Sequence, residues 1–329
     1  ALPPADDLPQ TCLRKSSLRA TSIGLLVTDS KRTADTVARI EDKDIETARN
    51  TEKDDMLNLI RSRFESGSST LSLLKELYPD NIVYVNRSGN YVFADINPKL
   101  AASEYDKSAF ARNDKGLMTY SGTNAKTYTG IDLSKHNSDV DFAKVKAAGV
   151  DFAMIRCGYR AYGSGLLVED TSFNTYTTNA IKNNIDVGVY FYSQALNKEE
   201  AIEEANYVLT LVKPYNITYP IAIDVEAIEN DSFRQENLSA SELTDVIIAF
   251  CDTIKAAGYT PLIYSNLLYF MDNVELERLE GYDKWFAGYQ TASPYYPYKY
   301  AMWQYTSTGS INGVSGNVDI NIAMKNLKK

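Results

Sequence analysis

Histidine is almost missing from this chain: among 329 residues there is one, His136. A histidine-rich metal site cannot be built from it, and a Ser-His-Asp triad would have to use that sole imidazole. Cysteine is sparse and odd in number. Cys12, Cys157 and Cys251 make neither a disulfide framework nor a zinc cluster. Cys157 and Cys251 fall in an expected strand and an expected helix and read as small buried hydrophobes. No run of 18 apolar residues exists, so no segment is expected to span a membrane. The opening Ala1-Leu2-Pro3-Pro4 is not a signal peptide, so an exported protein would have lost its targeting segment. Basic residues are outnumbered, 34 Lys and Arg against 43 Asp and Glu. The net charge of −9 leaves no cationic footprint for nucleic acid or anionic lipid. No cofactor and no metal are expected.

What the chain does have is tyrosine, 24 residues against 11 Phe. A phenol ring offers an apolar face with a hydroxyl at its edge, which suits sugars as well as the boundary between core and surface. The character of the sequence changes near residue 126. Residues 1–52 read as an extended or weakly helical arm, with short apolar spots at Ile23, Leu25, Leu26 and Val27. Residues 53–115 read as a small α+β region. Met56, Leu57, Ile60 and Phe64 share one helical face, and a short helix with Leu71, Leu74 and Tyr78 stops at Pro79. A β-hairpin follows, Ile82–Val85 and Tyr91–Phe93 around Arg87-Ser88-Gly89-Asn90. Residues 116–127, rich in Gly, Ser, Thr and Asn, read as a linker.

From residue 128 to 329 short apolar runs alternate with helical patterns. Strands are expected at 130–133, 152–156, 187–192, 221–226, 262–264, 285–289, 301–305 and 318–320. Several are continuously apolar, as a parallel strand buried on both faces requires. Between them Asn197 and Glu200 resemble a capping pair, and Ser239 with Glu242 forms a capping box for a helix that Gly258 closes. The expected fold is therefore α/β: an irregular (β/α)8-type barrel with a small N-terminal α+β region. The last connections are too short for full helices.

Such a barrel places its chemistry at the C-terminal ends of its strands. Asp132 ends the first strand, Asp224 and Glu226 end the fourth, and Asp319 lies in the eighth. Two residues apart on a strand, Asp224 and Glu226 point to the same side with Cα atoms roughly 6.5–7 Å apart. Like charges so close push the proton affinities apart, which is the division of labour that glycosidic cleavage uses. An Asp-x-Glu is common by chance; its place at the mouth of a buried strand is what singles it out, because an unpaired carboxylate there is costly.

These residues occur in a recognisable order. Thr129-Gly130-Ile131-Asp132-Leu133-Ser134, Asp141 to Lys146, Phe152 to Arg156, Tyr190-x-Tyr192, Asp224-x-Glu226, Trp285-x-Ala287-x-Tyr289 and Met302 to Ser307 with Gly313 and Gly316 to Asp319 together resemble glycoside hydrolase family 25, the Chalaropsis-type lysozymes. The resemblance covers about residues 128–326. It implies hydrolysis of the β-1,4 bond from N-acetylmuramic acid to N-acetylglucosamine, with retention of configuration, by a secreted or cell-wall-associated protein whose partner is the peptidoglycan glycan strand. It also implies roles: Glu226 as general acid, Asp224 as stabiliser of positive charge, and Asp132 and Asp319 tuning both. Tyr192, Tyr264, Trp303, Tyr190, Trp285 and Tyr289 are candidate sugar platforms, each with barrel packing as the alternative. Gln304 and Arg156 are candidates for hydrogen bonds to sugar or to an acid. Tyr295, Tyr296 and Tyr298 either rim the cleft or form a plain surface loop, and His136 reads as a rim or loop-fixing residue. A barrel that binds peptidoglycan without cutting it, and a hydrolase of another acetamido-glycan such as chitin, stay open as alternatives.

Overall fold

A computed structural model describes residues 42–137, 139–227, 232–289 and 291–329. The apolar spots at 23–27 and Cys12 lie outside the described residues. The chain divides into two compact units, residues 1–69 and 70–329. In the first, helix α1 runs from Asp42 to Glu65. It begins earlier than the apolar face of Met56, Leu57, Ile60 and Phe64 predicts, so residues 42–52 of the expected arm are helical. Ala48, Arg49, Glu52 and Lys53 are good helix formers with no apolar periodicity to announce them.

The second unit opens with α2 (Thr70–Leu77) and the hairpin β1 (Asn81–Val85) and β2 (Tyr91–Asp95), whose turn needs the left-handed φ of +81° that Gly89 adopts. A second hairpin, β3 (Phe110–Arg112) and β4 (Met118–Tyr120), follows. Part of the stretch read as a linker is thus a strand. Leu117 and Met118 are buried in the same apolar layer as Ile82, Tyr84, Phe110, Trp303 and Tyr305.

The barrel strands are β5 (Tyr128–Leu133), β6 (Phe152–Arg160), β8 (Asp186–Tyr192), β9 (Ile221–Asp224), β10 (Pro261–Asn266), β11 (Asp283–Ala287), β12 (Met302–Gly309) and β13 (Val318–Ala323). They pair in that order and close through β13 and β5. A short strand β7 (Leu167–Glu169) lies antiparallel on the end of β6. From β5 to β12 the pairings are parallel, and helices α3 (Phe142–Ala147), α4 (Phe173–Lys182), α5 (Lys198–Val212), α6 (Ala240–Ala256) and α7 (Leu267–Asp272) occupy the connections. The last strand departs from this scheme. β13 runs antiparallel to both β12 and β5, because eight residues between β12 and β13 cannot carry a crossover and the chain turns straight back.

Along each strand side chains alternate between two apolar layers. The inner one fills the barrel with Phe152, Met154, Leu262, Trp285, Met302 and Leu327. It leaves no room at Gly188, where a Cβ would come within 2.6 Å of Met154 Sδ and 2.7 Å of Pro220 O. The outer layer sits between strands and helices and takes Ile131, Val189, Ile223 and Ile263 together with Ala205 and Val208 of α5 and Val246 and Phe250 of α6. Side-chain caps start these helices: Asn197 accepts from Glu200 N, and Ser239 and Glu242 cap each other reciprocally.

Candidate active site

The acids meet because of strand direction. Asp132 is the fifth residue of β5, and Asp319 is the second of β13, directly paired with it. In an antiparallel strand an early residue lands at the end where the parallel strands finish, so Asp319 joins the C-terminal mouth. Asp224 is the last residue of β9. The strand stops two residues short of the expected 226, yet the backbone stays tethered: Val225 N donates to Tyr264 O at 3.2 Å, and Ser265 Oγ donates to Val225 O at 2.6 Å. The half-buried Glu226 is close enough for its charge to raise the proton affinity of both Asp224 and Asp319. All four acids therefore share one end of the barrel.

Gln304 on β12 joins them. Its Nε2 donates to Asp132 Oδ2 at 2.9 Å and reaches Asp319 Oδ2 at 3.5 Å. Its Oε1 accepts from Tyr264 OH at 2.8 Å and Tyr289 OH at 2.5 Å. Asn321, the second inward residue of β13, donates to Asp132 Oδ2 at 2.8 Å and accepts from Trp285 Nε1 at 2.8 Å. Burial raises the proton affinity of Asp132, while the hydrogen bonds from Asn321, Gln304 and Asp319 act against it. Asp319 is pushed up to about 9 by burial and by the charge of Asp132, to which it hydrogen-bonds. Both carboxyls are raised, and two buried carboxyls in contact do not both ionise, so the pair shares one proton. Asp224 is also pushed well up, by burial and by Glu226, with the Arg156 cation pulling the other way. Its Oδ1 is buried and has no hydrogen-bond partner among the described residues.

Trp285 and Tyr264 lie edge to face at 4.6 Å between centroids, and Trp285 meets Tyr190 at 6.0 Å. These three rings form the floor beneath the acids. Tyr192 and Tyr289 stand higher: Tyr192 OH donates to Glu226 O at 3.3 Å, and Tyr289 remains 40% exposed. Trp303 corrects the expectation of a sugar platform. It is fully buried on the outer face of β12, edge-on to Phe110 at 5.6 Å, with Nε1 donating to Gly288 O at 2.8 Å. Inward Gln304 forces its neighbour outward. Tyr296 and Tyr298 are buried in the outer layer, and Tyr295 OH accepts from Val83 N at 2.9 Å. Tyr295 thus clasps the first hairpin, Tyr298 OH accepts from Asn97 N at 2.9 Å just beyond it, and Tyr296 stacks on Phe286, so the three are neither cleft rim nor plain surface loop.

Arg156 is tied to buried Asp170 through Nε at 2.7 Å, while its Nη2 is buried with no hydrogen-bond partner among the described residues. His136 sits nearby with its proton affinity lowered by burial and by the Arg156 and Lys135 cations. Asn321 and Asp170 escaped sequence reasoning. Asn321 had a signal, standing two residues after Asp319 and so on the same face; Asp170 had none. No group of His, Cys, Asp and Glu among the described residues has an arrangement that could hold a metal ion.

With this geometry established, comparison with known proteins points one way. The family model described as glycosyl hydrolases family 25 matches residues 131–314. The autolytic lysozyme of Clostridium acetobutylicum is 25% identical over 191 residues, 58% of this chain and 54% of that protein. Lysozyme M1 of Streptomyces globisporus is 27% identical over 203 residues, 58% of this chain and 66% of that one. Among solved structures, the modular autolysin LytC from Streptococcus pneumoniae in complex with a synthetic peptidoglycan ligand is similar at 26% identity and a TM-score of 0.53, over 73% of this chain and 56% of that one. The spore cortex lytic enzyme SleM of Clostridium perfringens shares the fold at a TM-score of 0.52, with 22% identity over 60% of this chain and 67% of that one. The chain thus spans little more than half the length of the autolytic lysozyme.

Proposed function

The chain belongs to glycosyl hydrolases family 25, and from that premise we propose that it is a peptidoglycan hydrolase, a muramidase cutting the β-1,4 bond between N-acetylmuramic acid and N-acetylglucosamine. The observation that carries this is the gathering of Asp132, Asp224, Glu226 and Asp319 at one barrel mouth above an aromatic floor. The names of the similar proteins, two lysozymes and an autolysin with a peptidoglycan ligand, support the same substrate class.

In this proposal Glu226, half-buried at the barrel mouth, protonates the departing glycosidic oxygen. Asp224 answers the positive charge that develops at the anomeric carbon or on the 2-acetamido group. Burial and the charge of Glu226 raise its proton affinity against the pull of the Arg156 cation, and a Glu226 that carries its proton as the acid removes that charge and so favours the Asp224 carboxylate. The Asp132–Asp319 pair, locked by Gln304 and Asn321, holds one shared proton and keeps the net charge of the pocket down. Tyr190, Tyr192 and Tyr289 present ring faces and hydroxyls to the sugar, while the buried Trp285 and Tyr264 support the acids from the barrel core and are not themselves sugar platforms. Configuration at the cleaved carbon is retained, and NMR of the first-formed anomer checks this. The glycan strand is the partner, and the protein acts outside the cell or in its wall. The barrel of residues 128–329 carries the chemistry.

Release of reducing sugar from purified peptidoglycan by the whole chain is the test. Glu226→Gln lowers the rate by about 10²–10⁴-fold and leaves sedimentation with peptidoglycan intact. Binding without release of reducing ends from the wild type leaves a binding module instead. Release from chitin oligomers and not from peptidoglycan identifies another acetamido-glycan as the substrate.

A further inference from the structure

The first hairpin does more than pack against the barrel. Ile82 and Tyr84 face the outer apolar layer, and Tyr84 OH donates to Asp272 at the end of α7. This clamps the β1–β2 turn beside the helix that follows β10. Arg87, in that turn, reaches across and donates from Nη2 to Tyr269 OH at 2.6 Å. Its guanidinium carbon lies 5.0 Å from the Tyr269 ring centroid and 5.3 Å from that of Phe233. Both rings are buried, so the cation rests on two fixed faces while the residue itself stays exposed. Tyr269 also feels the charges of Glu226 and Asp224, which puts Arg87 on the acid side of the barrel.

Other arginines of this end face carboxylates: Arg156 with Asp170, Arg160 with Glu203 and Glu204, and Arg234 with Glu200. Arg87 differs. Its hydrogen-bond partner is a neutral phenol, and no carboxylate pairs with it among the described residues. A guanidinium held rigid by aromatic faces, with donors left over and an acidic mouth beside it, is built to take an anion from outside. We propose that the β1–β2 turn forms one lip of the cleft and that Arg87 is a specificity-determining residue, taking a carboxylate of the peptide carried by the muramic acid of the substrate. This deepens the proposed muramidase function and rests on it. Glycan strands bearing such peptides are polyanions. A chain of net charge −9 with acids at its cleft needs a cation placed at the lip to hold one.

The test uses the whole chain on two soluble substrates, peptidoglycan strands with their peptides and the same strands stripped of peptide by an amidase, the lactyl carboxylate that this exposes being capped as its methylamide. In the Arg87→Met variant the KM for peptide-bearing strands rises about tenfold, the loss of one charge-assisted contact, with kcat changed less than about twofold. The KM for stripped strands moves by less than about twofold, and Arg87→Lys recovers part of the difference. For a second readout, the wild-type KM on peptide-bearing strands climbs with salt and that of Arg87→Met stays flatter. An equal rise on both substrates with unaltered salt dependence overturns the proposal, leaving Arg87 a scaffold for the hairpin. No rise on either substrate overturns it too. A wild type that cuts neither substrate removes muramidase activity itself, and the role of Arg87 with it.

Discussion

Replacing Gln304 with leucine keeps a side chain of similar size and deletes an amide on which four groups converge. Asp132 loses one of its two amide donors, a charge-assisted bond worth about 1.5–3 kcal/mol. Tyr264, buried, loses the acceptor of its hydroxyl, which costs about 1–3 kcal/mol because water does not replace it. Tyr289 is 40% exposed, and its hydroxyl turns to solvent at little cost. Burial of the new methyl groups returns about 1–2 kcal/mol. The expected net loss is about 1–5 kcal/mol, centred on about 3 kcal/mol, or a fall in Tm of about 2–20 °C for a domain of this size. The loss also depends on pH. Gln304 favours the charged form of Asp132, so without it the folded carboxyl holds its proton more tightly. That raises the folded pKa further above the unfolded value, and the added penalty is absent near pH 4 and present near pH 8. Urea unfolding at both pH values measures it. A loss below about 1 kcal/mol at both would mean that the amide does not knit the acids together, and the account of the pocket would fail.

Trp303→Phe should cost about 1–3 kcal/mol of stability through the lost bond to Gly288 O, with the KM for peptidoglycan unchanged; a KM shift above about threefold would return Trp303 to the cleft. Asp319→Asn should flatten the pH dependence of stability. Asp319 has a folded pKa raised to about 9, so its contribution is full below the unfolded value near 4 and is lost as pH rises through about 9. Calorimetry of the variant should show the smaller decline across that window, and an unchanged decline would refute a proton held on Asp319.

Eight strands were legible because buried parallel strands read as apolar runs between capped helices, and the acids were legible because carboxylates have no cheap reason to end such runs. Other features left no local trace. A strand's pattern is the same read in either direction, so only the short connection before Val318 hinted that β13 turns back and pairs Asp319 with Asp132. Trp303 was misplaced because alternation gives a period without a phase, and the phase is fixed only once Gln304 is known to point inward. The docking of Arg87 on Tyr269 spans 182 residues of chain, and nothing near either residue announces it. Helix α1 extends through residues whose helical tendency is intrinsic rather than patterned.

The antiparallel closing strand has a consequence for how the molecule comes alive. Asn321 and Asp132 stand 189 residues apart along the chain yet must touch for the acid pair to be set. Contacts so distant in sequence form late, after nearer pairings have shortened the loops between them. A nascent barrel still missing β13 holds Asp224 and Glu226 but lacks Asp319 and Asn321 opposite them, so the acid cluster is incomplete. Closure of the cylinder and assembly of the four-acid cluster are then one event.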